Sequence, residues 1–324
     1  MAMRREGGLF GRIADIDNLH RAYYKASRRK RLSAGYLLFR RDAGRKLVAL
    51  RQELLDGTCR LDSYRQFTIS DPKIRVISAA PFRDRIVHHA IMNVLEPVFE
   101  RQFVFHTYAC RTGKGPHAAA RYAFRCARRS PWFVKLDVRK FFDSVDHLEL
   151  KRQLCRIIKD GRCLGLLFAV IDGYSSGGVG SGLNGERGLP IGNLTSQFFA
   201  NLYLSPLDHY ILEQLHPCGY VRYMDDMVLF ADSRAQARLM YEAVVSFCEG
   251  QLRLALKPPV VGRCSDGVPF LGWRITDHRI LLLARTRRRM RGKFRELERD
   301  VEAGRVSEDE AARRAVAMFS CRRV

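Results

Sequence analysis

Tyr220-Val221-Arg222-Tyr223-Met224-Asp225-Asp226-Met227-Val228-Leu229-Phe230-Ala231 sets two acids between two apolar runs. The runs 220–223 and 227–231 are rich in β-forming residues, so they predict two antiparallel strands with Asp225-Asp226 at the turn. Upstream, Trp132-Phe133-Val134-Lys135-Leu136-Asp137-Val138 predicts another strand, and it too is closed by an acid. Between them 194–212 predicts a helix. Beyond the hairpin, 235–252 predicts a second one, with Leu239, Val244, Phe247 and Cys248 at helical spacing. Residues 252–256 then alternate as a last strand.

With the insertion 139–193 set aside, this order is β-α-β-β-α-β, that of the ferredoxin-like split unit, in which the central hairpin lies beside the first strand. The expected fold class is α+β, and Asp137, Asp225 and Asp226 are expected to become neighbours. Further upstream, 47–55 predicts a helix stopped by Asp56-Gly57, 67–69 and 74–77 predict strands around Asp71-Pro72-Lys73, and 85–99 predicts a helix. The glycine-dense stretch 173–188 follows a predicted helix at 164–171 rather than a strand, so it reads as a loop and not as a dinucleotide fingerprint.

Charge points to the partner. The 324 residues carry 57 Lys+Arg against 34 Asp+Glu, a net +23, while 47% hydrophobic content supplies a core and excludes a disordered polybasic tail. Such a surplus suits a polyanion, whose neutralisation releases counterions, better than a small metabolite. Nine cysteines, an odd number without a Cys-x-x-Cys pair, argue against a disulfide framework or a thiolate zinc site and point to a reducing cytosol. The expectation is a cytoplasmic protein without a membrane partner, since no signal peptide or run of eighteen apolar residues is seen.

Clustered carboxylates repel one another and are tolerated when a divalent cation neutralises them; Mg²⁺ favours carboxylates together with substrate phosphates. Two such ions serve an in-line displacement at phosphorus, so the inferred chemistry is nucleotidyl transfer. Asp-Asp pairs are also ordinary in exposed turns. A chance Tyr-Met-Asp-Asp in a chain of this length, however, is expected only about twice in a thousand.

These motifs resemble those of reverse transcriptases. Tyr223-Met224-Asp225-Asp226 resembles that family's catalytic hairpin, and residues 133–147, Phe-Val-Lys-Leu-Asp-Val-Arg-Lys-Phe-Phe-Asp-Ser-Val-Asp-His, resemble the motif bearing its first metal ligand. The resemblance implies a right-hand polymerase with a ferredoxin-like palm and a small helical thumb. It implies two Mg²⁺ ions, with Mn²⁺ as a substitute, on Asp137, Asp225, Asp226 and the Val138 carbonyl. Phe142 falls at the steric gate that favours dNTPs over rNTPs. Lys73 and Arg75 fall in the segment that grips the triphosphate, Arg111 and Lys114 in a loop that touches template or primer, and Tyr223 and Met224 beside the duplex. Gly272 and Trp273 match the primer-grip turn, Lys257 the group that protonates departing pyrophosphate, and Arg287, Arg288 and Arg291 a thumb helix tracking the duplex. A capping box, Ser307-Glu308-Asp309-Glu310, opens the next helix. The implied division is a basic extension (1–45), fingers (46–112 and 145–195), palm (113–144 and 196–282) and thumb (283–324), with no endonuclease or ribonuclease H segment.

Within the family, Ile191-Gly192-Asn193-Leu194-Thr195-Ser196-Gln197 departs from the usual Gln-Gly and Ser-Pro pattern and resembles the enzymes of diversity-generating retroelements. That resemblance implies a template RNA copied into cDNA with errors opposite adenine, Ile191 and Gln197 beside the dNTP, and a small basic accessory protein, a pentamer in that family. It also implies a bacterial, archaeal or phage-encoded source. The alternatives are a stand-alone bacterial defence or retron reverse transcriptase, and a catalytically idle nucleic-acid-binding protein.

Overall fold

Among the described residues, apolar positions recurring every three to four residues build helices, and short β-branched and aromatic runs supply nine strands. The structure, a computed structural model, describes residues 5–70, 74–176 and 187–320. They divide into two compact units. The first comprises Met1–Phe103, Arg139–Pro206 and Glu249–Leu254; the second comprises Val104–Val138, Leu207–Cys248 and Ala255–Val324.

The first unit is mainly helical. Helix Phe82–Glu100 buries Ile86, Val87, Ala90, Ile91, Leu95 and Phe99 and packs against helices Ile16–Ser27 and Leu194–Tyr203. The stretch read as a basic extension is built into this core: Leu9, Ile13 and Leu19 are fully buried. Asn18 pins it there, donating from Nδ2 to the carbonyls of Ile13 and Ala90 at 3.0 Å each. Helix Ala43–Asp56 ends at Gly57, whose φ of 71° is the left-handed stop that glycine allows. Strands β1 (Arg65–Ser70) and β2 (Ile74–Ala79) form an antiparallel hairpin, and Arg75 is exposed on it. Lys73 lies outside the described residues, as do 177–186 of the glycine-rich stretch.

The second unit holds a four-stranded antiparallel sheet of β3 (Trp132–Asp137), β4 (Gly219–Tyr223), β5 (Asp226–Ala231) and β6 (Val260–Arg263), in the order β4-β5-β3-β6. Helix Pro116–Ala127 covers it with Ala119, Ala120 and Ala123, small residues that let it sit close on β4. Gly219 is part of that fit, since a Cβ there would meet Cys126 Sγ at 2.6 Å. Strands β7 (Val268–Phe270), β8 (Trp273–Ile275) and β9 (Ile280–Leu282) form a meander. Its first turn, Leu271-Gly272, has φ of 49° and 90°, as a two-residue hairpin of the I′ kind requires. Helices Ala284–Glu302 and Glu308–Ser320 pair beyond it, the second capped by Ser307 Oγ accepting from Glu310 N.

Two expectations are corrected. The last strand is Val260–Arg263, not 252–256: the helix Arg234–Leu252 runs to its limit, Arg253 turns to φ 53°, and Pro258-Pro259 donate no ladder hydrogen bonds, so regular pairing starts after them. Leu256 makes only an isolated bridge to Val138. The helix expected over 194–212 is interrupted as Leu194–Tyr203, Ser205–Tyr210 and a π turn Ile211–Leu215, because Pro206 fits the start of a helix and not its interior. Among the described residues no helix is long and apolar enough to cross a membrane.

Candidate active site

The sheet order sets the edge where the three acids gather. β3 pairs with β5 so that Asp137, last in its strand, stands opposite Asp226, first in the other; Tyr223 stands opposite Asp226 in the β4–β5 hairpin. The hairpin turn is therefore Met224-Asp225. Met224 holds φ at 55°, a left-handed conformation that a side chain adopts at a cost. All three acids expected to meet do so within the second unit.

Burial makes ionisation of Asp225 and Asp226 costly. Burial raises the Asp225 carboxyl, and the neighbouring Asp137 charge raises it further. Burial likewise pushes Asp226 up to about 6, with Lys135 acting against it and Asp137 and Asp225 adding to it. Two lysines answer this repulsion. Lys135 Nζ lies 2.7 Å from Asp226 Oδ1, and Lys257 Nζ donates to Asp137 Oδ1 at 2.5 Å. The Lys257 backbone N–H also donates to the Asp137 carbonyl at 2.9 Å, which fixes this segment alongside the end of β3.

Among the described residues no three Asp, Glu, His or Cys side chains converge closely enough to hold a cation as they stand. Ammonium groups occupy oxygens of Asp137 and Asp226 instead. The chemistry of the donor set nonetheless fits a hard divalent ion: three clustered carboxylates, two of them made reluctant to ionise by burial and by their acidic neighbours. Lys257 is 43% exposed.

The other expected site residues are distributed over both units. In the first, Phe142 is half-buried in the short helix Phe141–Ser144, and its carbonyl accepts from Leu189 N at 2.7 Å. The Ile191 carbonyl accepts from Ser78 N at 2.9 Å, joining this segment to β2. Gln197 lines a cavity of about 240 Å³ with Arg85, His88, His89, Gly192 and Asn193. Burial pushes His88 and His89 both down to about 4, helped by the Arg85 charge, so both imidazoles are neutral at pH 7.

In the second unit, Arg111 and Lys114 turn onto their own loop. Arg111 Nη1 donates to the carbonyls of Val104 and Thr107 at 2.6 and 3.0 Å, and the Lys114 ammonium sits 4.2 Å from the Phe105 ring centroid. Trp273 is buried and meets the His117 ring edge-on with centroids 5.4 Å apart. The Gly272 carbonyl accepts from Leu283 N at 3.0 Å, and Arg287, Arg288 and Arg291 are exposed on helix Ala284–Glu302.

Sequence reasoning passed over Lys135 and the buried pair Arg222 and Asp208. The signal was present, since each is a charge inside an apolar element. Their partners were not legible, because Asp208 and Arg222 are 14 residues apart and meet only once the sheet forms.

A family model described as reverse transcriptase (RNA-dependent DNA polymerase) matches residues 69–275. Protein YkfC of Escherichia coli (strain K12) is 28% identical over 277 residues, covering 72% of each chain. The group II intron-encoded protein LtrA of Lactococcus lactis subsp. cremoris is 27% identical over 172 residues, 52% of this chain and 28% of its own length, so the chain spans under a third of that relative. Among solved structures, apo telomerase from Candida tropicalis superposes with a TM-score of 0.52 at 12% identity, over 72% of this chain and 59% of that one. At that identity the likeness concerns fold alone, and the fold is that of right-hand polymerases. The family match begins within β1, ends with β8 and takes in the whole acid-bearing hairpin; over well more than half its length, this chain belongs to the reverse transcriptase family of RNA-directed DNA polymerases.

Proposed function

We propose that the chain copies a template RNA into cDNA by two-metal nucleotidyl transfer, with Asp137, Asp225, Asp226 and the Val138 carbonyl holding Mg²⁺, and that it does so with frequent errors opposite adenine, as in diversity-generating retroelements. The observation that carries the catalytic part is the register pairing of Asp137 with Asp226 beside Asp225. When bound, divalent ions lower the pKa of an attacking hydroxyl and stabilise charge on the leaving oxygen. The chain's own residues present the carboxylates at the edge of the sheet, where Lys135 and Lys257 pair with Asp226 and Asp137. Lys257, 43% exposed beside Asp137, is read as the proton donor to departing pyrophosphate.

The palm is read as the ferredoxin-like sheet unit at 113–144 and 196–282, with fingers at 46–112 and 145–195 and a thumb at 283–324. Lys73 and Arg75 are read as triphosphate grips, Phe142 as the gate, and Arg111, Lys114, Tyr223, Met224, Gly272 and Trp273 as the lining for template and primer. The error-prone part rests on Ile191 and Gln197. A β-branched apolar side chain at 191 gives up the hydrogen bonds of an amide, and a site that reads fewer polar groups discriminates less. A small basic oligomeric accessory protein is the expected partner.

The test is cDNA synthesis with purified protein on a defined RNA, read by deep sequencing. Errors confined to template adenines, and reduced in Ile191→Gln, are expected; errors spread evenly over all four bases contradict the proposal. The alternative reading is a stand-alone bacterial enzyme of the retron or phage-defence kind. It predicts a non-coding or untemplated product in the same sequencing experiment.

A further inference from the structure

Arg222 lies on β4 two residues before the Met224-Asp225 turn, and both its side chain and that of Asp208 are fully buried. Nε donates to Asp208 Oδ1 at 2.6 Å and Nη2 to Oδ2 at 2.5 Å, a bidentate fork. Tyr220 Oη donates to Oδ1 at 2.6 Å and Thr107 Oγ1 to Oδ2 at 3.1 Å, so four donors fill the carboxylate. The remaining nitrogen, Nη1, donates to the Met224 carbonyl at 3.1 Å. The backbone is held at the same residue: Arg222 N donates to the His106 carbonyl at 3.0 Å, and Tyr108 N donates to the Arg222 carbonyl at 2.9 Å.

A charge pair this deep is expensive to desolvate, and apolar side chains of similar volume often serve stability as well. What they cannot do is hold a carbonyl. Met224 is the strained residue of the turn, with φ at 55°, and its carbonyl precedes Asp225 directly. We propose that Arg222, braced by Asp208, is a positioning residue for nucleotidyl transfer: by fixing the Met224 carbonyl it fixes the turn that sets Asp225 and Asp226 against Asp137. This assignment rests on the reading of those three acids as the catalytic carboxylates.

Three variants of the full chain test it. Replacing the pair together, Arg222→Met with Asp208→Leu, removes both charges and keeps the core apolar. Arg222→Lys keeps a charge beside Asp208, but one ammonium cannot fork the carboxylate and reach the Met224 carbonyl at once. Asp225→Asn is the control for the carboxylates themselves. In primer extension, both Arg222 variants are expected to lose about 10- to 100-fold in kcat, with KM for dNTP within about twofold of wild type. Mn²⁺ binding, followed by the electron paramagnetic resonance of the free ion, is expected to weaken about tenfold, which a merely structural role would not produce in a folded protein.

Wild-type kcat and Mn²⁺ affinity in the folded double variant overturn the proposal. If the double variant does not fold, the same two readouts on Arg222→Lys decide. Extension that survives Asp225→Asn overturns the carboxylate reading instead. Extension lost in Asp225→Asn but intact in both Arg222 variants overturns the positioning role alone.

Discussion

Lowering the pH from 7 to 5 should cost this protein stability through one identifiable side chain, His88. The residue is 3% exposed, its Nδ1 lies 2.9 Å from Thr195 Oγ1, and its Nε2 has no hydrogen-bond partner among the described residues. Burial pushes the imidazole down to about 4, with the charges of His89 and Arg85 adding to it, against 6.5 for an ordinary histidine. Between those values the unfolded chain binds the proton and the folded chain does not. Stability is therefore fully present above pH 6.5 and is lost as the pH falls toward 4. At pH 5 the difference amounts to about 2 kcal/mol from this residue alone. His89 acts in the same direction, so the comparison must isolate His88. Urea unfolding of wild type and His88→Gln at both pH values does so, because glutamine can still pair with Thr195 but does not titrate. The gap between the two proteins should shift by about 2 kcal/mol in favour of the variant on acidification. A gap unchanged within the error of the extrapolation would mean that His88 is solvated or already paired when charged.

Phe142→Val should admit ribonucleotides. Loss of a ring contact of this kind is worth about 1–3 kcal/mol, so discrimination between dNTP and rNTP should fall about 10- to 200-fold in single-nucleotide incorporation, and unchanged discrimination would remove Phe142 from the gate. Changing Arg287, Arg288 and Arg291 together to Ala should weaken duplex binding equally on all sequences. It should also make the plot of log K against log salt shallower by roughly 2 to 3, which fluorescence anisotropy over a salt series measures; an unaltered slope would take these three arginines off the backbone.

The site was legible where its residues were local to one turn or one strand end. Asp137 and Asp225-Asp226 are each flanked by apolar runs that force a strand, and the order of elements brought them together before any coordinate did. The error at 252–256 has a physical cause. Leu252, Leu254 and Leu256 alternate as a strand would, but Leu252 finishes a helix and Leu254 is buried in an irregular segment, so burial alone produced the pattern. The first 45 residues looked like an appendage because their charge masked an amphipathic period. Leu19, Ala22 and Ala26 lie at helical spacing and are fully buried. Long-range partners left no local trace. Lys135 opposite Asp226, and Asp208 under Arg222, depend on register and on a packed core, which no window of sequence contains.

Most direct is the pairing of Asp225→Asn and Asp226→Asn with two measurements on the same protein: Mg²⁺-dependent extension of a primer on an RNA template, and affinity for that template–primer. If these acids hold the ions, extension should fall by at least about 10³-fold while affinity stays within about twofold, since neither side chain is a cation that grips phosphate. Extension near the wild-type rate in either variant would contradict the assignment of the catalytic centre to this hairpin.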